Sequence, residues 1–195
     1  YGVPDLTNAE GLHTNAVYGF LNIMFKILEE EQADHLAVAF DLPAPTFRHK
    51  RYGDYKGTRK PMPEELREQV PLMQEVLAAM GIPILTLEGY EADDILGTVA
   101  KRSQAAGVEV SVVSGDRDLL QLADAHIKIR IPKTSRGSTE IYDYYSEDVT
   151  AQYPVTPAEF IDVKALLGDP SATITRVPPM GGQTAPTSLQ AFGST

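Results

Sequence analysis

Residues 107–118 read GVEVSVVSGDRD. Val108 to Val113 is short, rich in β-branched residues and bounded by Gly107 and Ser114-Gly115, so it reads as a buried strand. Asp116 to Ala123 then reads as a short helix. The same reading outward gives strands at His35 to Phe40, Ile82 to Leu87 and His126 to Ile131, and an edge strand at Thr139 to Tyr142. Helices are expected at His13 to Gln32, Glu64 to Met80, Glu91 to Ala106 and Pro157 to Leu167, by the i, i+3, i+4 spacing of apolar residues. Pro71 predicts a kink or fresh start inside the second of these. Alternation of strand and helix predicts an α/β fold with a mostly parallel sheet and flanking helices. In such sheets ligands sit beyond the carboxyl ends of the strands. Asp41 ends one strand there and Asp116 follows another. Residues 42–62 read as a long basic loop. From Pro170 the chain turns to Pro, Gly, Ser and Thr with no sustained helical period before Leu189. The expected division is therefore a domain over 1–169 and a tail over 170–195 that is a loop, a poorly ordered terminus or an altered version of something once helical.

The chain has 195 residues, 43% hydrophobic and 23% charged, which suffices for a core and excludes disorder of the whole. No apolar run approaches the roughly 18 residues of a membrane span. The absence of cysteine excludes disulfides, thiolate metal sites and cysteine nucleophiles. A start at Tyr1 suggests a fragment whose own beginning is absent. The net charge of -10 argues against a nucleic-acid partner. The charge is segregated, however. Arg48, Lys50, Arg51, Lys56, Arg59 and Lys60 face only Asp54, a window of +5 in an acidic chain. That distribution suits a polyanionic substrate handled with bound cations.

Glu91-Ala-Asp93-Asp94 crowds three carboxylates into a helix's first turn. Capping and the helix dipole explain some of this. Three acids exceed that need, and Glu91 and Asp94 share a face on which a cation could bind. Asp116 and Asp118 repeat the ambiguity: an N-cap on one reading, two carboxylates at a strand's carboxyl end on the other. Mg²⁺ takes a few carboxylates plus waters. Asp169 sits at a helix's C-terminal end, unfavourable for the dipole, yet an Asp in a turn before Pro is common. The basic loop, with Phe47, Tyr52 and Tyr55 among its cations, suits phosphate contact and base stacking, or a plain solvated loop. No P-loop, dinucleotide fingerprint, HExxH or GxSxG motif is present.

The runs GLHTNAVYGF (11–20), AFD (39–41), PTFRHKRYGDYKGTRK (45–60), EGYEADDILGT (88–98), VVSGDRDLLQL (112–122) and VTPAEFIDVKALLGD (155–169) resemble the 5′-nuclease domain of bacterial DNA polymerase I. That domain is related to flap endonucleases and has a PIN-like α/β fold. The resemblance implies a metal-dependent 5′-3′ exonuclease and 5′-flap endonuclease with a site for two Mg²⁺ or Mn²⁺. Its metal acids would be Glu91, Asp93, Asp94, Asp116, Asp118 and Asp169, joined by Asp41. Asp41, Arg48, Lys56 and Asp116 would carry catalysis. Phe47, Arg48, Lys50, Arg51, Tyr52, Tyr55, Lys56, Arg59, Lys60 and Tyr90 would contact DNA with a 5′ flap, a nick or a single-stranded 5′ end. It further implies a monomer in the bacterial cytoplasm at the nucleoid, without membrane, and a polymerase region following in the same chain.

Departures from the family pattern lead to three further expectations. The family's opening strand, central in its sheet, is missing. Ala172 and Thr173 stand where the family has an Asp-Asn pair, which weakens the second metal site. Gln183 replaces a lysine of the family's helix–hairpin–helix, and Pro186 falls where its helix should propagate, so the duplex grip is degraded. The alternatives are a DNA-binding remnant without turnover and, from another class, a PIN-like ribonuclease or metal-dependent phosphatase.

Overall fold

The computed structural model describes residues 5–135, 138–178, 181–182 and 184–192. Its helices are α1 (Asn15–Glu31), α2 (Phe47–Arg51), α3 (Glu64–Arg67), α4 (Gln69–Ala79), α5 (Ala92–Ala105), α6 (Ser146–Gln152), α7 (Pro157–Leu167) and α8 (Thr184–Phe192). Its strands are β1 (Val38–Ala39), β2 (Ile84–Leu85), β3 (Val110–Val113), β4 (Ile127–Ser135) and β5 (Ser138–Tyr144). Short 3₁₀ turns span Arg117–Leu122 and Pro170–Ala172.

The strands make a mixed arrangement rather than one mostly parallel sheet. β1 and β2 pair in parallel as a two-stranded sheet, and β3-β4-β5 form a separate three-stranded one. β3 and β4 are parallel; β4 and β5 are antiparallel, from Ile129↔Tyr144 to Ser135↔Ser138. The expected strands at 35–40 and 82–87 shrink to two residues each, because among the described residues β1 and β2 have only each other as ladder partners. β4 runs past Ile131 through Pro132. β3 pairs only as far as Arg130, so that side of β4 carries no ladder for the proline to break.

α4 begins anew after Glu68, as Pro71 predicts. The proline ring removes the bond to the carbonyl four residues back, at Arg67, and the break falls there. Three elements depart from the sequence reading. The basic stretch contains α2. α6, at residues 146–152, carries no strong apolar period. The tail is not irregular throughout, since α8 forms with Pro186 in its first turn, where a missing N–H costs nothing. Ala185 and Leu189 of α8 are buried with Val112, Ile127, Ile129, Leu120, Val149, Phe160 and Val163 in one core. Gln183 lies outside the described residues.

α1 packs on α4, and Val17 and Met24 of the one and Met73 and Leu77 of the other are buried. Thr14 makes no side-chain cap for it. The buried Gln69 of α4 does so instead, its Oε1 accepting from the N–H groups of Ala16 at 2.7 Å and Val17 at 3.3 Å. At the other end Glu29, Glu30 and Glu31 oppose the helix dipole. β4 offsets them with Arg130, 2.7 Å from Glu30 and from Glu31, and Lys128, 2.6 Å from Glu31. Arg130 also bonds Asp143 across the hairpin at 2.7 Å.

Candidate active site

Four loops deliver the acids. After the Gly89-Tyr90 turn, Glu91 caps α5 and forms a reciprocal box with Asp94, whose carboxylate accepts from the Glu91 N–H at 2.9 Å. After β3, Ser114 Oγ accepts from the Asp116 N–H at 3.0 Å, and Asp116 Oδ1 from the Asp118 N–H at 2.8 Å. After β1, Asp41 Oδ1 accepts from the Ala92 N–H at 2.7 Å, tying the first sheet to the start of α5. After α7, Gly168 turns the chain at φ 66, where a Cβ would stand 2.5 Å from Ile174 O and Arg176 N. Asp169 and Ile174 then bond each other's backbone and close a small loop. Capping and clustering thus hold together: the same carboxylates do both.

Glu91, Asp93, Asp94, Asp116, Asp118 and Asp169 line one open cleft of about 520 Å³, with Arg48, Tyr55, Lys56 and Arg59 on its rim. Asp93 is partly buried there. Burial, and then the charges of Asp116, Asp41 and Glu91, push its pKa up to about 6. Like charges gathered this way call for a counter-cation. Internal cations supply part of it. Arg48 grips Asp94 through both terminal nitrogens at 2.7 and 2.8 Å and lies 3.7 Å from Glu91. That guanidinium bond holds Asp94 below the usual carboxylate range. Lys56 Nζ donates to Glu91 at 2.7 Å and Tyr55 Oη to the same carboxylate at 3.1 Å. Burial works against the Lys56 ammonium, but Glu91 outweighs it and the pKa is raised. Among the described residues no three His, Cys, Asp or Glu side chains close on one point as a metal shell. The oxygen-rich donor set has the chemistry of a hard divalent ion all the same.

The remaining expected contacts are spread around the cleft. The rings of Phe47 and Tyr90 pair at 5.6 Å, with the Arg48 guanidinium 4.5 Å over Phe47. Lys50, Arg51, Tyr52, Arg59 and Lys60 face solvent. The 52–60 stretch docks on the small loop after α7: Lys56 N–H donates to Ala172 O at 3.1 Å and Tyr52 Oη to Thr173 O at 3.3 Å. Lys56 and Thr173 both hold left-handed backbone, φ 56 and 63. Several residues at the site escaped the sequence reading. Thr98, Lys101 and Gln121 line the cleft, and Lys164 of α7 reaches Asp118 at 2.7 Å. A lysine in a helix's last turn reads as a dipole partner, and only the packing of α7 on residues 117–122 brings it here.

The pattern of the family described as "5'-3' exonuclease, N-terminal resolvase-like domain" matches residues 1–154. DNA polymerase I of Bacillus caldotenax is 48% identical over 194 residues, covering 100% of this chain and 22% of the relative's length. DNA polymerase I of Bacillus subtilis is 46% identical over the same span, again 22% of its length. The chain therefore spans about a fifth of these relatives. Among solved structures, the T5 D15 protein co-crystallised with metal ions superposes with a TM-score of 0.76 at 23% identity, covering 91% of this chain and 69% of that one. The catalytic core of Rad2 in complex with DNA gives 0.59 at 18% identity, covering 97% and 56%. At these identities the likeness is one of fold.

Proposed function

Because this chain belongs to the 5′-3′ exonuclease family, in its N-terminal resolvase-like domain, we propose that it hydrolyses phosphodiester bonds at the 5′ ends of DNA, as an exonuclease and flap endonuclease. The observation that carries this is the single cleft where carboxylates from α5, β3 and α7 meet Arg48 and Lys56. The residues fit one or two Mg²⁺ or Mn²⁺ ions: Glu91, Asp93, Asp94, Asp116, Asp118 and Asp169 would hold them, with Asp41 steadying the start of α5. Bound there, such ions supply an activated water and neutralise charge at the scissile phosphate. Arg48 and Lys56 orient that phosphate. The Phe47–Tyr90 pair offers a face on which a terminal base stacks. Lys50, Arg51, Arg59 and Lys60 follow the strand's phosphates, and Tyr52 and Tyr55 buttress the basic stretch that carries them.

Finer readings follow. Ala172 in place of an acid makes the second ion the weaker. The separate ladders of β1 and β3 support a strand lying between them in the family's full sheet. Gln183 in the lysine position supports a weak grip on duplex. The polymerase relatives, of which this chain spans 22%, support a polymerase region in the same protein; a monomer at the bacterial nucleoid is part of the same proposal. Among the described residues no helix is long and apolar enough to cross a membrane.

The test is cleavage of a labelled 5′-flap DNA at low salt with Mg²⁺ or Mn²⁺ and then EDTA. Cutting near the flap junction that needs the metal and disappears in Asp116→Ala is expected; cutting that persists in EDTA overturns the reading. One observation favours a second reading, a DNA-binding chain without turnover: Arg48 and Lys56 already occupy Asp94 and Glu91. Salt-sensitive flap binding with no product at any metal concentration would establish it.

A further inference from the structure

Two cationic arrangements in this molecule differ in kind. Arg130 is buried, its side chain 6% exposed, and three carboxylates surround it, so it is a structural tie. Lys164 is bound as closely, 2.7 Å from Asp118 Oδ1, yet both side chains keep more than a third of their surface in water, at 36% and 39%. Pairs this exposed contribute little to stability. The ammonium also feels Asp169 and Asp116, so its charge belongs to the whole second group of acids. Its position is fixed from behind, because Phe160 and Val163 of α7 pack into the core.

We propose that Lys164 is a positioning residue of the cleft: the resident counter-cation of Asp118, Asp116 and Asp169, which a second divalent ion must displace. This rests on the metal reading above and deepens it. An ammonium and a divalent ion compete for the same carboxylate oxygens and repel each other. Lys164 therefore sets the affinity of one ion and leaves the other, among Glu91, Asp93 and Asp94, nearly untouched. In the ion's absence it keeps Asp118 oriented and neutralised. Once displaced, it stands at the cleft's edge as a free cation.

The experiment is titration of the whole chain with Mn²⁺ alone, without DNA, reading free Mn²⁺ by its electron paramagnetic resonance signal. Lys164→Met keeps the apolar stem and removes the charge; Lys164→Arg restores the charge. In K164M one Mn²⁺ tightens roughly fivefold, the scale of one partly solvated charge acting on a divalent ion. The other ion is unchanged, and K164R returns to wild-type values. A merely structural role would not give rescue by charge with selectivity for one ion. An unchanged K164M isotherm overturns the assignment. Asp116→Asn separates the two readings: if it weakens Mn²⁺ binding while K164M does nothing, the metal site stands and the role of Lys164 falls. If no variant binds Mn²⁺, both fall. Should K164M lose its circular dichroism signature, Lys164→Gln is titrated against the same criteria.

Discussion

Asp93 and Asp94 are adjacent and are driven in opposite directions. Burial and three neighbouring acids push Asp93 up to about 6, against an ordinary value of 3.8. Its ionised form is therefore disfavoured in the fold, and the cost grows as pH rises between those values and is complete above them. Asp93→Asn should stabilise the metal-free chain by about 2 kcal/mol at pH 7.5 and by almost nothing at pH 3.5, as urea unfolding in EDTA would measure. Asp94 shows the opposite sign. Arg48 lowers its pKa, so the pair stabilises above the ordinary carboxylate range and loses its effect as pH falls through the folded value. Arg48→Ala should cost about 1 kcal/mol at pH 7, and the difference from wild type should shrink as pH falls below the ordinary carboxylate range. Thr173 is a β-branched residue in left-handed backbone, a conformation asparagine tolerates far better. Thr173→Asn should raise stability by about 1 kcal/mol, read as a higher melting temperature. At this scale the sequence announced the acids by their crowding. It was silent about Lys164, whose meeting with Asp118 depends on how α7 packs, and about the partners Arg48 and Lys56 choose, which lie more than thirty residues away along the chain.

α1 illustrates what an element owes to its surroundings. Its apolar stripe is plain in the sequence, and its ends are not: Gln69 caps one and Arg130 neutralises the other, both from elsewhere in the chain. Removing Arg130 leaves Glu30, Glu31 and Asp143 together, with Lys128 on Glu31 and the half-exposed Lys26 at 4.0 Å from Glu30. Arg130→Ala should destabilise the chain by about 3 kcal/mol and raise hydrogen exchange in the last turn of α1 and in β4. Helices with a clear period, α1, α5 and α7, were legible within a few residues. The short elements were not. α2 sits inside a basic stretch whose charges mask a single helical turn, and α8 hid behind a proline that is harmless in a first turn. β1 and β2 were overestimated because an apolar run supplies no ladder partner, and here neither run is fully buried.

At the scale of the whole molecule, an acidic chain concentrates six of its 17 lysines and arginines in residues 48–60. Lys50, Arg51, Arg59 and Lys60 are exposed there. Binding to single-stranded DNA should weaken with salt by about 0.7 in the logarithm per phosphate contacted. Replacing Arg51, Arg59 and Lys60 together by alanine should flatten that slope by about 2, measured by fluorescence anisotropy across a salt series. Alternation of elements disclosed the fold class early; the division of the strands into two sheets did not show, because pairing between distant strands leaves no local trace. That division matters for more than shape. Asp41 rides on the β1–β2 pair and Asp116 on the β3–β4–β5 sheet, and the start of α5 lies between them. The two sheets are expected to open as separate cooperative units along one anionic seam. Without metal, amide protons of Val38–Ala39 should exchange well before those of Val110–Val113. An ion seated across the seam would act as a rivet, merging two melting steps into one.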